Sequence, residues 1–163
     1  HFLGIFFLFL SFYTIYKFKN LNSNYINFLF ILLICISTDI GGYIFGKIFK
    51  GPKLTTISPN KTVSGFIGSY ILSVLFIIIF FQILSSFKFK TSFSYEILLL
   101  VILISSISQL GDILVSYFKR KSNVKDTGNI IPGHGGLLDR VDGMIFAYPF
   151  SYLLYLLNFF KEF

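Results

Sequence analysis

The sequence predicts an all-α, polytopic membrane bundle, a single membrane domain over residues 1–163 with about five transmembrane helices. Three observations predict it. Hydrophobic residues are 55% of the chain and charged residues 13%, the latter roughly half the share of a water-soluble globule. The mean hydropathy is +0.78. The apolar residues gather in five runs separated by basic loops. A disordered chain would need few aromatics and many charges, and is excluded. The single cysteine, Cys35, excludes a disulfide scaffold and a cysteine-based zinc site.

The first run, residues 2–16, is short for a span. It lacks a basic n-region and a small-residue cleavage site, so it does not read as a signal peptide. Because the chain starts at His1 rather than Met, an N-terminally truncated helix is expected there. The second run, 25–46, is apolar except for Asp39 near its end. The third, 64–87, is uncharged and reads as the plainest lipid-facing span. Its β-branched and aromatic content would suit a strand in water. In lipid a lone strand leaves its backbone groups unpaired, which selects helix. The fourth, 93–118, carries Asp112, and the fifth covers 141–160. About twenty residues cross a bilayer core, so the last four runs are long enough.

The loops carry the basic residues. Lys47, Lys50, Lys53, Lys61, Lys119, Arg120, Lys121, Lys125 and Arg140 fall on one face, and Lys17, Lys19, Lys88, Lys90 and Lys161 on the other. Basic loops stay inside, which puts the richer face in the cytoplasm. The expected location is a bacterial inner membrane with the site facing the cytoplasm. The net charge of +7 is thereby a topology signal. No nucleic-acid partner is expected, because no soluble segment interleaves basic and aromatic residues.

The acids point to chemistry. There are seven, and Asp39 and Asp112 lie inside apolar runs, a turn or two from the cytoplasmic end. An ionisable group there costs about 2.5–3.5 kcal/mol on the mild insertion scale, so it needs a polar cavity and a partner. At helical spacing Asp39, Tyr43, Gly46 and Lys47 share a stripe, as do Ser105, Gln109, Asp112, Ser116 and Lys119. Asp139 and Asp142 fall together at the start of the fifth helix, where the helix dipole favours carboxylates. A lone buried Asp is as often a packing residue, and Asp39 with Lys47 reads equally as a snorkelling pair. Four carboxylates converging on one membrane face, without His or Cys clusters, suit Mg²⁺.

Two loops flank these acids. Residues 53–65 mix lysines, hydroxyls and exposed backbone ahead of a helix, a composition that holds phosphate oxygens but also fits a solvated loop with Ser58-Pro59 starting the helix. Residues 119–142 combine Lys119, Arg120, Lys125 and Arg140 with Gly133, Gly135 and Gly136 around His134. Glycines turn backbone N–H groups toward anions, and His134 is a donor or an acid–base group. A basic juxtamembrane loop that attracts anionic lipid does not account for the aspartates within it. Two motifs are rejected. Gly41–Lys47 has the G-x-x-x-x-G-K spacing, but Ile48 replaces the hydroxyl and the context is a transmembrane helix. Asp139-Arg-Val-Asp-Gly143 opens like the CDP-alcohol phosphatidyltransferase motif but lacks its continuation.

Ser116-Tyr-Phe-Lys-Arg120, Lys125-Asp126, Pro132-Gly-His-Gly-Gly136 and Asp139-Arg-Val-Asp142 together resemble the signature of the phosphatidate cytidylyltransferase (CDP-diacylglycerol synthase) family, over all 27 residues from Ser116 to Asp142. Residues 39–47 and 57–68 are similar to that family too, and Ser64 and Val115 stand where its members commonly carry Glu. The resemblance implies catalytic segments at 39–65 and 109–143. It implies that CTP and phosphatidic acid give CDP-diacylglycerol and pyrophosphate, with Mg²⁺, in a bilayer, and it implies a homodimer. It gives Asp112 and Asp142 as metal ligands supported by Asp39 and Asp139, and Lys119, Arg120, Lys125 and Arg140 as holders of the CTP phosphates. Ser58, Lys61 and Thr62 clamp phosphate from the other loop. His134 donates to a phosphate oxygen, and Ser116, Asp126, Gly135 and Gly136 complete the substrate-binding set. The alternatives are a related CTP-dependent lipid kinase, an archaeal-type CDP-lipid synthase, or an inactive membrane homologue.

Overall fold

A computed structural model describes residues 2–20, 25–55, 58, 61–86, 94–124, 127–128 and 136–159. They form five α-helices: α1 (Phe2–Asn20), α2 (Ile26–Phe49), α3 (Val63–Ser86), α4 (Tyr95–Lys121) and α5 (Asp142–Leu156), with a 3-10 turn at Leu137–Arg140. No β-strand occurs among the described residues, only one isolated bridge between Lys53 and Thr62. Helices are the backbone's way of satisfying its own polar groups in lipid. By length and composition α2, α3 and α4 can each cross a membrane.

The fifth helix differs from expectation. It has 15 residues, about 22 Å at 1.5 Å per residue, against the roughly 30 Å of a hydrocarbon core. It starts at Asp142 because the preceding four residues wind as 3-10, and it stops at Leu156 because Asn158 turns left-handed, at φ 59°. The third helix also starts later than Ser58-Pro59 suggested. Thr62 Oγ1 accepts from Gly65 N at 3.1 Å and so caps α3 at Val63.

α2 touches all four other helices, and its most intimate partner is α3. Small residues make that approach. A Cβ on Gly41 would stand 2.7 Å from the Gly68 carbonyl oxygen, and one on Gly65 would stand 2.6 Å from the Gly42 carbonyl oxygen. Neither space exists, so glycine brings the two backbones together. The buried faces of α2, α3 and α4 change character at one level of the bundle. Away from the basic loops they are apolar except at Asn27, with Phe30, Ile31 and Ile34 against Ile77, Phe81, Leu100, Val101 and Ile104. Toward the loops they become Ser37, Thr38 and Gly41, then Gly65, Gly68 and Ser69, then Ser105, Ser108 and Gln109. The polar half positions the site.

α1 docks on α5 through a backbone defect. Pro149 lies inside α5 and has no N–H, so the Ile145 carbonyl four residues earlier loses its helical donor. Ser11 of α1, 1% exposed, reaches that oxygen at 2.7 Å. Ser11→Ala should therefore destabilise the bundle by about 1 kcal/mol, read by thermal unfolding in detergent. In a Pro149→Ala background the helical donor returns and the cost of losing Ser11 should fall toward zero. Equal costs in both backgrounds would refute this account of the docking.

Candidate functional site

A cavity of about 270 Å³ opens in the polar half, under the loop between α2 and α3. α2 supplies Thr38, Asp39 and Tyr43. The loop supplies Leu54, Ser58, Lys61 and Thr62. Gly65, Phe66 and Ser69 come from α3, and Gln109, Asp112 and Ile113 from α4. The loop is folded over it by backbone pairing: Leu54 N donates to Lys61 O at 2.7 Å, Lys61 N to Ser58 O at 3.1 Å, and Val63 N to Pro52 O at 3.0 Å.

Asp112 is the centre of charge. Its Oδ2 takes a hydrogen bond from Lys61 Nζ at 3.1 Å. Its Oδ1 is buried and has no hydrogen-bond partner among the described residues, as is also true of the nearby Ser108 Oγ. Both oxygens face Gly143 at the start of α5. A Cβ there would fall 2.5 Å from Ser108 Oγ and 3.1 Å from Asp112 Oδ1, so only glycine lets α5 come this close. Asp39 is exposed on α2 and lies near enough to be repelled by Asp112 and attracted by Lys61. Asp142 likewise faces the Asp112 carboxylate. Lys47 does not pair with Asp39. It lies over the Tyr43 ring at 5.6 Å and donates to its hydroxyl at 3.5 Å.

A second cluster adjoins the first. Asp139 is not on α5 beside Asp142 but in the 3-10 turn before it. Its Oδ1 accepts from Lys119 Nζ at 3.0 Å, and its Oδ2 accepts from Thr127 N at 3.0 Å and from Gly136 N at 2.9 Å. Lys119 also lies 3.9 Å from Asp142 Oδ2. One carboxylate therefore clasps two backbone points nine positions apart to the end of α4. Gly136 is required, because a Cβ there would run into Thr127 Oγ1 and stand 2.8 Å from Gly128 N. Burial pushes the Asp139 carboxyl up, but the two amides and the Lys119 ammonium outweigh it and hold it at about 2.

Of the residues named from sequence, the structure brings Asp39, Ser58, Lys61, Thr62 and Asp112 to one cavity, and Lys119, Gly136, Asp139 and Asp142 to the adjoining clasp. Ser116 is half-buried on α4 and Arg120 is exposed near its end. Lys125, Asp126, His134 and Gly135, and the side chain of Arg140, lie outside the described residues. Sequence reasoning missed Thr38 and Ser69 as cavity residues, and placed Tyr43 and Gln109 on polar stripes without a role. For Tyr43 and Gln109 the signal was a polar side chain one helical turn from an aspartate; Ser69, on an uncharged helix, had none.

The sequence model of the Cytidylyltransferase family matches residues 1–158. The chain is 39% identical over 147 residues to the phosphatidate cytidylyltransferase of Bacillus subtilis, covering 89% of this chain and 53% of that protein. To the phosphatidate cytidylyltransferase of Rickettsia bellii it is 45% identical over 141 residues, covering 82% of this chain and 61% of that one. To that of Staphylococcus saprophyticus it is 40% identical over 146 residues, covering 89% and 54%. The chain thus spans about half the length of the curated relatives it matches.

The clasp has a pH signature. A carboxyl held at about 2 stabilises the fold above the ordinary carboxylate range near 4, and that contribution is lost as pH falls from there through about 2. Hydrogen exchange should show the Thr127 and Gly136 amides protected at pH 5 and unprotected near pH 2. Asp139→Asn should weaken that protection at pH 5 and change little near pH 2. Protection unaffected by the substitution at pH 5 would refute the clasp.

Proposed function

The chain belongs to the Cytidylyltransferase family, and from that premise we propose that it carries the catalytic part of a phosphatidate cytidylyltransferase. On this reading CTP and phosphatidic acid give CDP-diacylglycerol and pyrophosphate at the cytoplasmic face of a membrane. The observation that carries it is the Asp112 cavity. A buried carboxylate oxygen without a partner, a lysine and a hydroxyl-rich loop meet inside a membrane-spanning bundle, where a lipid phosphate is within reach.

The chemistry follows from charge. A phosphate oxygen of phosphatidic acid attacks the α-phosphorus of CTP in line. The new P–O bond forms as the bond to the bridging oxygen of the β-phosphate breaks, and pyrophosphate leaves with that electron pair. A phosphate monoester has a second pKa of about 6, so the attacking group is already largely dianionic near neutrality and needs no general base. The obstacle is bringing two polyanions together in a region of low dielectric.

The residues divide that task. Lys61 and Ser58 line the cavity and hold the lipid phosphate. Thr62 fixes the loop instead, since its hydroxyl caps α3 and pairs with Ser64 Oγ at 3.0 Å. Arg120 with Lys125 and Arg140 meet the CTP phosphates, and His134 donates to one of their oxygens. Lys119, tied to Asp139 and Asp142, joins the end of α4 to the start of α5. The donor set fits Mg²⁺, which takes one or two carboxylates and completes its shell with water and substrate phosphates. Asp112 and Asp142 would hold it, with Asp39 and Asp139 beside them, and the partnerless Asp112 Oδ1 is the oxygen that such an ion would satisfy. When bound, the ion supplies charge neutralisation and alignment of the phosphates. A homodimer belongs to the same reading and is open to cross-linking in membranes.

Membranes containing the chain, given labelled CTP, phosphatidic acid and Mg²⁺, should form CDP-diacylglycerol and pyrophosphate. Asp112→Asn should lower turnover by about a hundredfold or more, because it removes negative charge that would hold the cation neutralising the reacting phosphates. Near-normal turnover in that variant would sink the assignment of Asp112.

A further inference from the structure

The floor of the cavity contains a polar group that the transfer chemistry leaves unused. Three buried polar side chains form it: Thr38 at 1% exposed, Ser69 at 3% and Gln109 at 8%. Two of them are spent. Thr38 Oγ1 donates to Ser105 Oγ at 2.9 Å, and Ser69 Oγ donates to the Thr38 carbonyl at 2.8 Å. Gln109 is not. Its one hydrogen bond among the described residues is a long 3.5 Å contact from Nε2 to Ser105 Oγ, an oxygen already engaged by Thr38. Its carboxamide thus keeps an unspent N–H beside the cavity. Leaving such a group unpaired in an apolar surrounding is unfavourable.

We infer that Gln109 is a specificity residue, whose amide donates to a glycerol-ester carbonyl of the lipid substrate. This rests on the transferase reading above, which puts the lipid phosphate at Lys61 beside Asp112. α4 runs toward the basic loops, so Gln109 lies three residues deeper than Asp112, about 4.5 Å of helix rise. In phosphatidic acid the ester carbonyls follow the phosphate by a few bonds, and they follow it toward the hydrocarbon. The other substrate fits the floor poorly. A cytosine base carries several donors and acceptors, and each would need a partner at this depth. The floor supplies one amide, in a cavity that Phe66 and Ile113 also line. An ester carbonyl needs one donor.

The test compares diacyl phosphatidic acid with its dialkyl-ether analogue of equal chain length, which keeps the phosphate and lacks the carbonyls. The native chain in mixed micelles with CTP and Mg²⁺ should prefer the diacyl lipid in kcat/KM by about tenfold, the ratio that one net hydrogen bond gives. Gln109→Met, of similar shape without a donor, should bring the ratio near one and leave the ether lipid's kcat/KM within about twofold. An unchanged ratio overturns the proposal. So does a Gln109→Met effect confined to the KM of CTP or to discrimination between CTP and UTP, which would assign the amide to the base. A binding readout separates this from the transferase reading. The infrared band of phosphatidic acid isotope-labelled at its ester carbonyls should shift down on binding to the native chain and not on binding to Gln109→Met. If neither lipid is turned over, the transferase reading fails and the band alone decides the subsite. No shift on the native chain overturns it.

Discussion

A carboxylate inside a membrane-spanning helix has to be answered by positive charge, and much of the loop end of this bundle is arranged around that need at Asp112. Taking an ion out of water costs several kcal/mol even after a protein relaxes around it. The answer comes from Lys61, which is not on a neighbouring helix but on a loop. That loop has to be folded down onto the bundle, and the Leu54–Lys61 and Pro52–Val63 backbone bonds do it. The end of the loop has room at Thr62 because Gly46 and Gly65 keep α2 and α3 free of side chains there. On the opposite side Gly143 lets α5 approach the other oxygen. A Cβ on Gly143 would press on Ser108 and on the Asp112 carboxylate itself, whereas one on Gly65 would press on the α2 backbone.

The division of the bundle into halves follows from the same need. Large aliphatic side chains hold the helices together away from the loops, and there the contact is ordinary core packing. Near the loops that packing is given up for small and hydroxylated residues, which leave a cavity and satisfy one another across helices. Stability lost at that end has to be recovered elsewhere. The apolar end recovers part of it. The Ser11 contact to the carbonyl freed by Pro149 shows how tightly α1 is tied to α5, which carries Asp142 at its first position.

How much of this was legible in the sequence depended on the range of the interaction. The intramembrane positions of Asp39 and Asp112 were legible because charge in an apolar run is expensive, and the stripe from Ser105 to Lys119 because helical spacing is fixed. That Asp112 takes Lys61 and Asp39 does not take Lys47 was not legible, because the choice is made by a loop fold. Asp139 shows the limit best. Its spacing from Asp142 suggested two carboxylates side by side on one helix, whereas the structure spends Asp139 on Thr127, Gly136 and Lys119. Backbone amides are invisible in a sequence, so a carboxylate that caps a loop reads there like one that awaits a metal. The short fifth helix was missed for a similar reason, since left-handed Asn158 ends it inside an apolar run.

Charge balance ties the two clusters to the proposed reaction. Asp39 and Asp112 share Lys61, while Asp139 and Asp142 share Lys119. Among the described residues in these contacts, four carboxylates face two ammoniums. With all four ionised, two negative charges would be left over, the charge that a single divalent cation would balance. A polyanionic substrate would be repelled by such a surface and accepted once that excess is neutralised. The basic residues placed around the acids, rather than among them, suit that order of events. On the proposed reading they would hold phosphates at the rim, while the carboxylates deeper in the bundle would set how many positive charges must arrive with them.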